Sequence, residues 1–254
     1  MLFKSFFLLL IVIILFMAFS KNIRLFTEQD ILQNVNINLV DRNINYLKNV
    51  MRCKDGDYIR LFNGRDGEWL CELMDIQSRP FVVPRKIFLS QNSQKKDSIW
   101  VIFSLIKSSR SKILIEKATE LGASKIIAIK AARSNVKSIN LSKATLTSIE
   151  SAEQCGRITV PQLKYYNSFG SLFQKWPSGR SFIWGDKNSN YTDSKIFINI
   201  GGLIIGPEGG FVEEEIKLFQ SFSKSQSFSL GELTLRSETA AVVMISIWKL
   251  INKL

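Results

Sequence analysis

The chain has 254 residues, 46% of them hydrophobic and 22% charged, which describes a folded globular protein with room for one or two domains. Its 34 Lys and Arg outnumber 22 Asp and Glu for a net charge of +12, and histidine is absent. That absence excludes Ser-His-Asp and Cys-His nucleophilic sites, His-ligated zinc and any imidazole base. Chemistry must come from carboxylates, Arg or Lys, hydroxyls, backbone groups or a bound cofactor.

Residues 5–20 form an uncharged, nearly all-apolar run between Lys4 and Lys21. A bilayer-spanning helix needs about 20 apolar residues, so the run is slightly short. With Lys4 in front and Ala18-Phe19-Ser20 behind, it reads better as a signal-peptide core. The competing reading is a mis-called start, with translation beginning near Asn22.

Residues 21–92 read as a β-rich domain. Tyr58–Asn63 alternates, Gly64–Gly67 turns, and Glu68–Ile76 returns as a second strand. Asp55-Gly56 marks the preceding turn. Phe81-Val82-Val83 and Lys86–Leu89 add short strands, a spacing that suggests a small barrel. Residues 91–98 are polar and read as a linker.

From 97 to 254 the pattern alternates strand and helix. Ile99–Leu105 is a buried strand, Ser111–Leu121 a helix with Gly122 at its C′ position, and Lys125–Ala131 a strand. A helix over Ser142–Gly156 follows, then strands Ser181–Trp184 and Gly202–Ile205. The chain ends with a helix over Phe211–Phe222, an extended Ser227–Leu230, and a closing helix Ser237–Leu250 that is apolar on nearly every side. This predicts an α/β domain with a mainly parallel sheet. The apolar closing helix is expected to pack in a homodimer. Cys53, Cys71 and Cys155 are odd in number and widely spaced, so no zinc cluster or disulfide framework is encoded and no metal site is expected. Each reads as a small buried hydrophobe, in a reducing compartment.

Three constellations could carry chemistry. Gly206-Pro207-Glu208-Gly209-Gly210 follows a strand and precedes a helix, as nucleotide loops do. Glu208 with Glu213, Glu214 and Glu215 would repel a phosphate and tolerate a cationic ligand such as a sulfonium; a plain turn with helix-dipole stabilisation is the simpler reading. A buried-looking Arg236 beside Glu238, at a loop-to-helix junction, suits a ligand or catalytic site, and helix capping suits it equally. The positive charge concentrates in residues 91–160, at a net +7, which points to a polyanion. Lys107, Arg110, Lys112, Lys117 and Arg133 could offer a face to RNA phosphates or simply be solvated.

Taken together, Gly206–Phe211, Leu230-Gly231 and Leu235–Ala240 resemble the RsmE-type 16S rRNA uridine-N3 methyltransferases. Glu116–Gly122, Arg133-Ser134, Ser151–Arg157 with Pro161, Ile23–Phe26 and Val50-Met51-Arg52 agree, in order, from about Ile23 to the C-terminus. The resemblance implies a SPOUT-class domain with a trefoil knot over 97–254, a PUA-like RNA-binding barrel over 21–92, S-adenosylmethionine as cofactor and a homodimer. It further implies methylation of N3 of a uridine in the decoding region of small-subunit rRNA, in the cytoplasm, with no stable membrane association. Residues 1–20 then stand as a mis-called start or a removable extension.

By motif, Gly206, Pro207, Glu208, Gly209 and Gly210 form one cofactor loop, and Leu230, Gly231, Leu233 and Leu235 a second. Thr239 joins them, with Arg236 and Glu238 as the catalytic pair. Arg24, Arg52, Lys107, Arg110, Lys117, Arg133 and Arg157 are the RNA-binding candidates. Trp184-Gly185 matches less well. Asn45 stands where the family usually has a His, and Asn cannot titrate. A non-catalytic RNA-binding assembly factor on the same fold is the alternative.

Overall fold

The computed structural model describes residues 22–93 and 99–252, and the apolar run 5–20 lies outside them. The chain divides between Gln94 and Lys95 into two compact units.

In the first unit, five strands pair in the order β1-β3-β4-β5-β2: β1 (Arg24–Phe26), β2 (Ile37–Asn38), β3 (Tyr58–Phe62), β4 (Glu68–Met74) and β5 (Phe81–Leu89). Only β1 and β3 run parallel. The predicted hairpin is β3–β4, with Gly64 and Gly67 at positive φ in its turn. The two short strands expected around Pro84 are one strand. Pro84 sits opposite Cys71 beside a register shift, and such an irregularity spares the ladder the amide that Pro lacks. Helix α1 (Asp41–Asn45) runs into a π-helical turn (Tyr46–Val50) that delivers Leu47 to a core of Ile23, Leu25, Ile59, Leu61, Leu73 and Val82. Cys71 is buried there, which pushes its thiol up to about 12, so it behaves as the small hydrophobe predicted. Cys53 is buried as well, whereas Cys155 is exposed, contrary to expectation.

The second unit is a wholly parallel six-stranded sheet in the order β11-β9-β10-β6-β7-β8. Its strands are β6 (Trp100–Ser104), β7 (Lys125–Ile129), β8 (Gln162–Tyr166), β9 (Phe182–Gly185), β10 (Gly202–Ile205) and β11 (Ser225–Phe228). Both faces are covered, which explains the continuous apolar runs of the central strands. One face packs Val101, Phe103 and Leu203 against α2 (Ser108–Glu120), α3 (Leu141–Cys155) and α6 (Ser237–Ile251). The other packs Ile102, Ile127 and Phe182 against an aromatic layer from α4 (Phe169–Phe173) and α5 (Glu213–Gln220). The sequence reading omitted β8 and α4. Strand β8 is a half-buried edge strand without a run of β-branched residues, and α4 is a single capped turn. Among the described residues no helix is long and apolar enough to cross a membrane, and no cluster of potential metal ligands occurs.

Candidate functional site

The loops that leave β9, β10 and β11 at their carboxyl ends surround one cavity of about 360 Å³. Carboxyl-end crevices are where open parallel sheets bind ligands. All five residues of the Gly206–Gly210 loop line it, as do Leu230, Gly231, Leu233 and Leu235 from the segment after β11. Thr239 does not; it is exposed in the first turn of α6.

Local chemistry fixes the loop. The Gly210 amide donates to the Pro207 carbonyl at 2.9 Å, and Gly210 takes φ +69°, a conformation that favours glycine. A Cβ on Gly206 would stand 3.1 Å from the Phe211 ring. Ser237 Oγ donates to the Gly206 carbonyl at 2.7 Å, tying the loop to the start of α6. The opposite lip is joined by Lys187 Nζ, which donates to Thr234 Oγ1 at 3.2 Å. Amides of Asp186 and Ser229 donate to Phe228 and Tyr191 carbonyls, each at 3.0 Å, and so bind the loop after β9 to the segment after β11.

Of the four glutamates only Glu208 lines the cavity, and it is paired with Arg110. Glu215 turns away to accept from the amides of Ala132 and Val212, and Glu213 pairs with Lys217 at 2.7 Å. Asp186 joins Glu208 in the lining, against Arg133 and Lys187, so the charge there is balanced. Leucines and backbone polar groups form much of the remaining wall, the composition of a small-molecule site with a few orienting groups.

Arg236 and Glu238 differ from expectation. Arg236 is exposed rather than buried, at the N-cap of α6 between the lining residues Leu235 and Ser237. Glu238 is 9% exposed; its Oε1 lies 3.9 Å from Arg110 Nε, and its Oε2 has no hydrogen-bond partner among the described residues. Arg110, chosen as a phosphate contact, therefore stands between two carboxylates.

Other members of the basic set are also committed elsewhere. Arg24 is 8% exposed, with Nε donating to Glu68 at 2.7 Å and its guanidinium over the Phe62 ring, so it is a core ion pair. Lys117 is held by Glu116 and Glu120, which raise its pKa. Arg157 donates to Thr159 Oγ1 and the Thr119 carbonyl, both at 2.9 Å, pinning two chain segments. Arg133 lines the cavity and donates to the Gly209 carbonyl at 2.7 Å. Lys107, Lys112 and Arg52 are exposed, as a phosphate contact requires.

Sequence reasoning missed Asp186, Lys187 and Asn188. The Trp184-Gly185 signal pointed at them: Gly185 lines the cavity, while Trp184 is buried in the aromatic layer. Asn45 is exposed and accepts from Asn49 at 2.5 Å.

The fold and cavity define a parallel α/β protein with one small-molecule-sized cavity among glycine-bearing carboxyl-end loops. Residues 93–249 match the RNA methyltransferase domain family and residues 39–83 the RNA methyltransferase PUA domain. The chain belongs to this RNA methyltransferase family. It is 30% identical to ribosomal RNA small subunit methyltransferase E of Rickettsia conorii, over 88% of this chain and 93% of that one. With the Bacillus subtilis protein of the same name it shares 27%, over 87% and 92%. A ribosomal RNA small subunit methyltransferase E from Neisseria gonorrhoeae, solved bound to S-adenosyl methionine, has the same fold: TM-score 0.79 at 24% identity, over 91% of this chain and 98% of that one.

Proposed function

We propose that this protein transfers the methyl group of S-adenosylmethionine to N3 of a uridine in small-subunit ribosomal RNA. The observation that carries the reading is the meeting of the Gly206–Gly210 loop and the Leu230–Leu235 segment at one cavity. The cavity suits that cofactor: the loop glycines allow close backbone approach, the leucines suit an adenine, and Asp186 and Glu208 tolerate a cation. When bound there, the cofactor supplies an electrophilic methyl group.

The chain's own residues would do the rest. Uridine N3 carries an imide proton that must leave as N3 attacks. Glu238 Oε2, buried and without a partner among the described residues, is the proton acceptor in this reading, with Arg110 beside it holding the carboxylate. Arg236, exposed between two lining residues, offers its guanidinium to the charge that develops on a uracil oxygen. Lys107 and Lys112 remain as phosphate contacts, and the target base must be unstacked to reach the site.

In the same reading the protein works in the cytoplasm, as a homodimer that uses α6, with the trefoil knot of its class. Mapping methylated uridines in rRNA from cells with and without the gene tests the assignment. One N3-methyluridine should disappear from small-subunit rRNA and return with the intact gene but not with a Glu238→Gln copy. An unchanged methylation map would refute it.

A further inference from the structure

The cavity described above opens at the carboxyl ends of β9, β10 and β11. A second, of about 390 Å³, opens at the carboxyl ends of β7 and β8. Its walls are the segments that follow those two strands and the first two turns of α5. The two cavities share a partition. Arg133 and Ile216 line the first, while their chain neighbours Ala132 and Glu215 line the second. Glu215 Oε1 accepts from the Ala132 amide at 2.8 Å, which holds the partition together. In sheet order β10 and β7 are two strand spacings apart, so about 10 Å separates the near strands of the two openings.

Ala131, Phe169 and Leu218 supply the apolar part of the second cavity. Three polar side chains from three elements line it as well: Lys130 after β7, Asn167 after β8 and Glu214 in the first turn of α5. All three are exposed, and none has a side-chain hydrogen bond or ion pair among the described residues. The glutamates on either side of Glu214 are committed, Glu213 to Lys217 and Glu215 to two backbone amides. Lys130 and Glu214 carry opposite charges into one cavity and do not pair with each other. A cation, an amide and a carboxylate held apart around an apolar patch suit a flat polar ring with an anion beside it.

The carboxylate narrows the class of ring. An ionised carboxylate only accepts hydrogen bonds, so it favours a base with an exocyclic amino group, as Glu does with N4 of cytosine. Uracil presents its one imide N–H between two carbonyl oxygens, which a carboxylate repels.

We infer that the second cavity holds a nucleobase bearing an exocyclic amino group, from a nucleotide next to the target uridine. Glu214 accepts from the amino group, Asn167 meets the adjoining ring atoms, and Lys130 meets the phosphate. That the base belongs to RNA rests on the methyl-transfer reading; the site itself rests on the cavity and its three uncommitted side chains. A flanking base seated there anchors the strand across the partition and presents the uridine to the first cavity. Lys130 adds affinity, whereas Glu214 adds the sequence preference that a phosphate contact lacks.

The test uses the full chain with S-adenosylhomocysteine, the product of methyl donation, filling the first cavity. Equilibrium dialysis measures binding of the four nucleoside 5′-monophosphates and of the trinucleotides A-U-A, C-U-C, G-U-G and U-U-U. Uridine monophosphate should bind about tenfold more weakly than the other three, a ratio within reach of one good base contact. Glu214→Ala should remove that ratio and Lys130→Ala should weaken all four alike, with S-adenosylhomocysteine affinity and melting temperature unchanged in both. Each amino-bearing trinucleotide should bind at least about tenfold tighter than the matching monophosphate, because its uridine reaches across the partition. Equal binding of the four monophosphates, binding of none, or a ratio that survives Glu214→Ala overturns the site and leaves the methyl-transfer reading standing. Trinucleotides that bind no tighter than monophosphates would make it a site for a free nucleotide and overturn its assignment to RNA. Discriminating binding by a chain that takes up no S-adenosylhomocysteine would instead sink the methyl-transfer reading and keep the site.

Discussion

Gly210 and Gly206 are constrained for different reasons, and Gly209 less than its motif suggests. A Cβ on Gly209 would meet Arg133 at 3.4 Å, an ordinary contact, whereas Gly210 needs a positive φ and Gly206 abuts a ring. Replacing Gly210 with Val should therefore raise the S-adenosylmethionine Kd at least tenfold, because a β-branched residue resists φ +69° and the turn would reopen. Titration calorimetry giving an unchanged Kd would show that the loop does not hold the cofactor. Arg24 poses the opposite question, since its motif suggested RNA and its surroundings are core. Glu68→Ala removes the buried carboxylate that Arg24 and Arg60 share and should cost about 3–5 kcal/mol in urea unfolding. Were Arg24 instead an RNA contact, the substitution would leave stability alone.

Among the elements, α6 departs most from its sequence reading. An apolar helix with few polar positions looks like a dimer element, yet much of its apolar surface is spent at home. Met244, Ile245 and Trp248 are buried in the chain's own core, and the Trp248 indole donates to the Ile200 carbonyl at 2.9 Å. A charge at Trp248 would thus damage the fold rather than probe association. Trp248→Ala is expected to cost about 3–5 kcal/mol. Leu250 is 79% exposed, and Val242, Val243 and Ile247 are half-buried, so the surface left for a partner is on that side. Sedimentation should show Leu250→Lys dissociating a dimer while the melting temperature of the monomer holds. A Leu250→Lys protein that still runs as a dimer would remove α6 from the interface.

At the scale of the whole molecule, two units with separate cores should respond separately to ligand. S-adenosylmethionine at a hundred times its Kd should raise the unfolding free energy of the unit from Lys95 onward by about 2.7 kcal/mol. The other unit should gain nothing. Differential scanning calorimetry with and without the cofactor reads this directly, and stabilisation of the first unit alone would put the ligand on the wrong half of the chain.

Features that depend on local periodicity and on motif order can be read along the chain. Strand Gly202–Ile205 and the β3–β4 hairpin are legible, because each is written within a few consecutive residues. Which charges are engaged depends on packing between distant segments. Arg24, Arg110, Lys117 and Arg157 look alike in a sequence and end in a core ion pair, a carboxylate bridge, a helix surface pair and a backbone pin. Their partners lie up to 98 positions away, at Glu208 from Arg110. Charge is a property of a residue, but its availability is set by distance, and distance across a parallel sheet is fixed by strand order rather than by position along the chain.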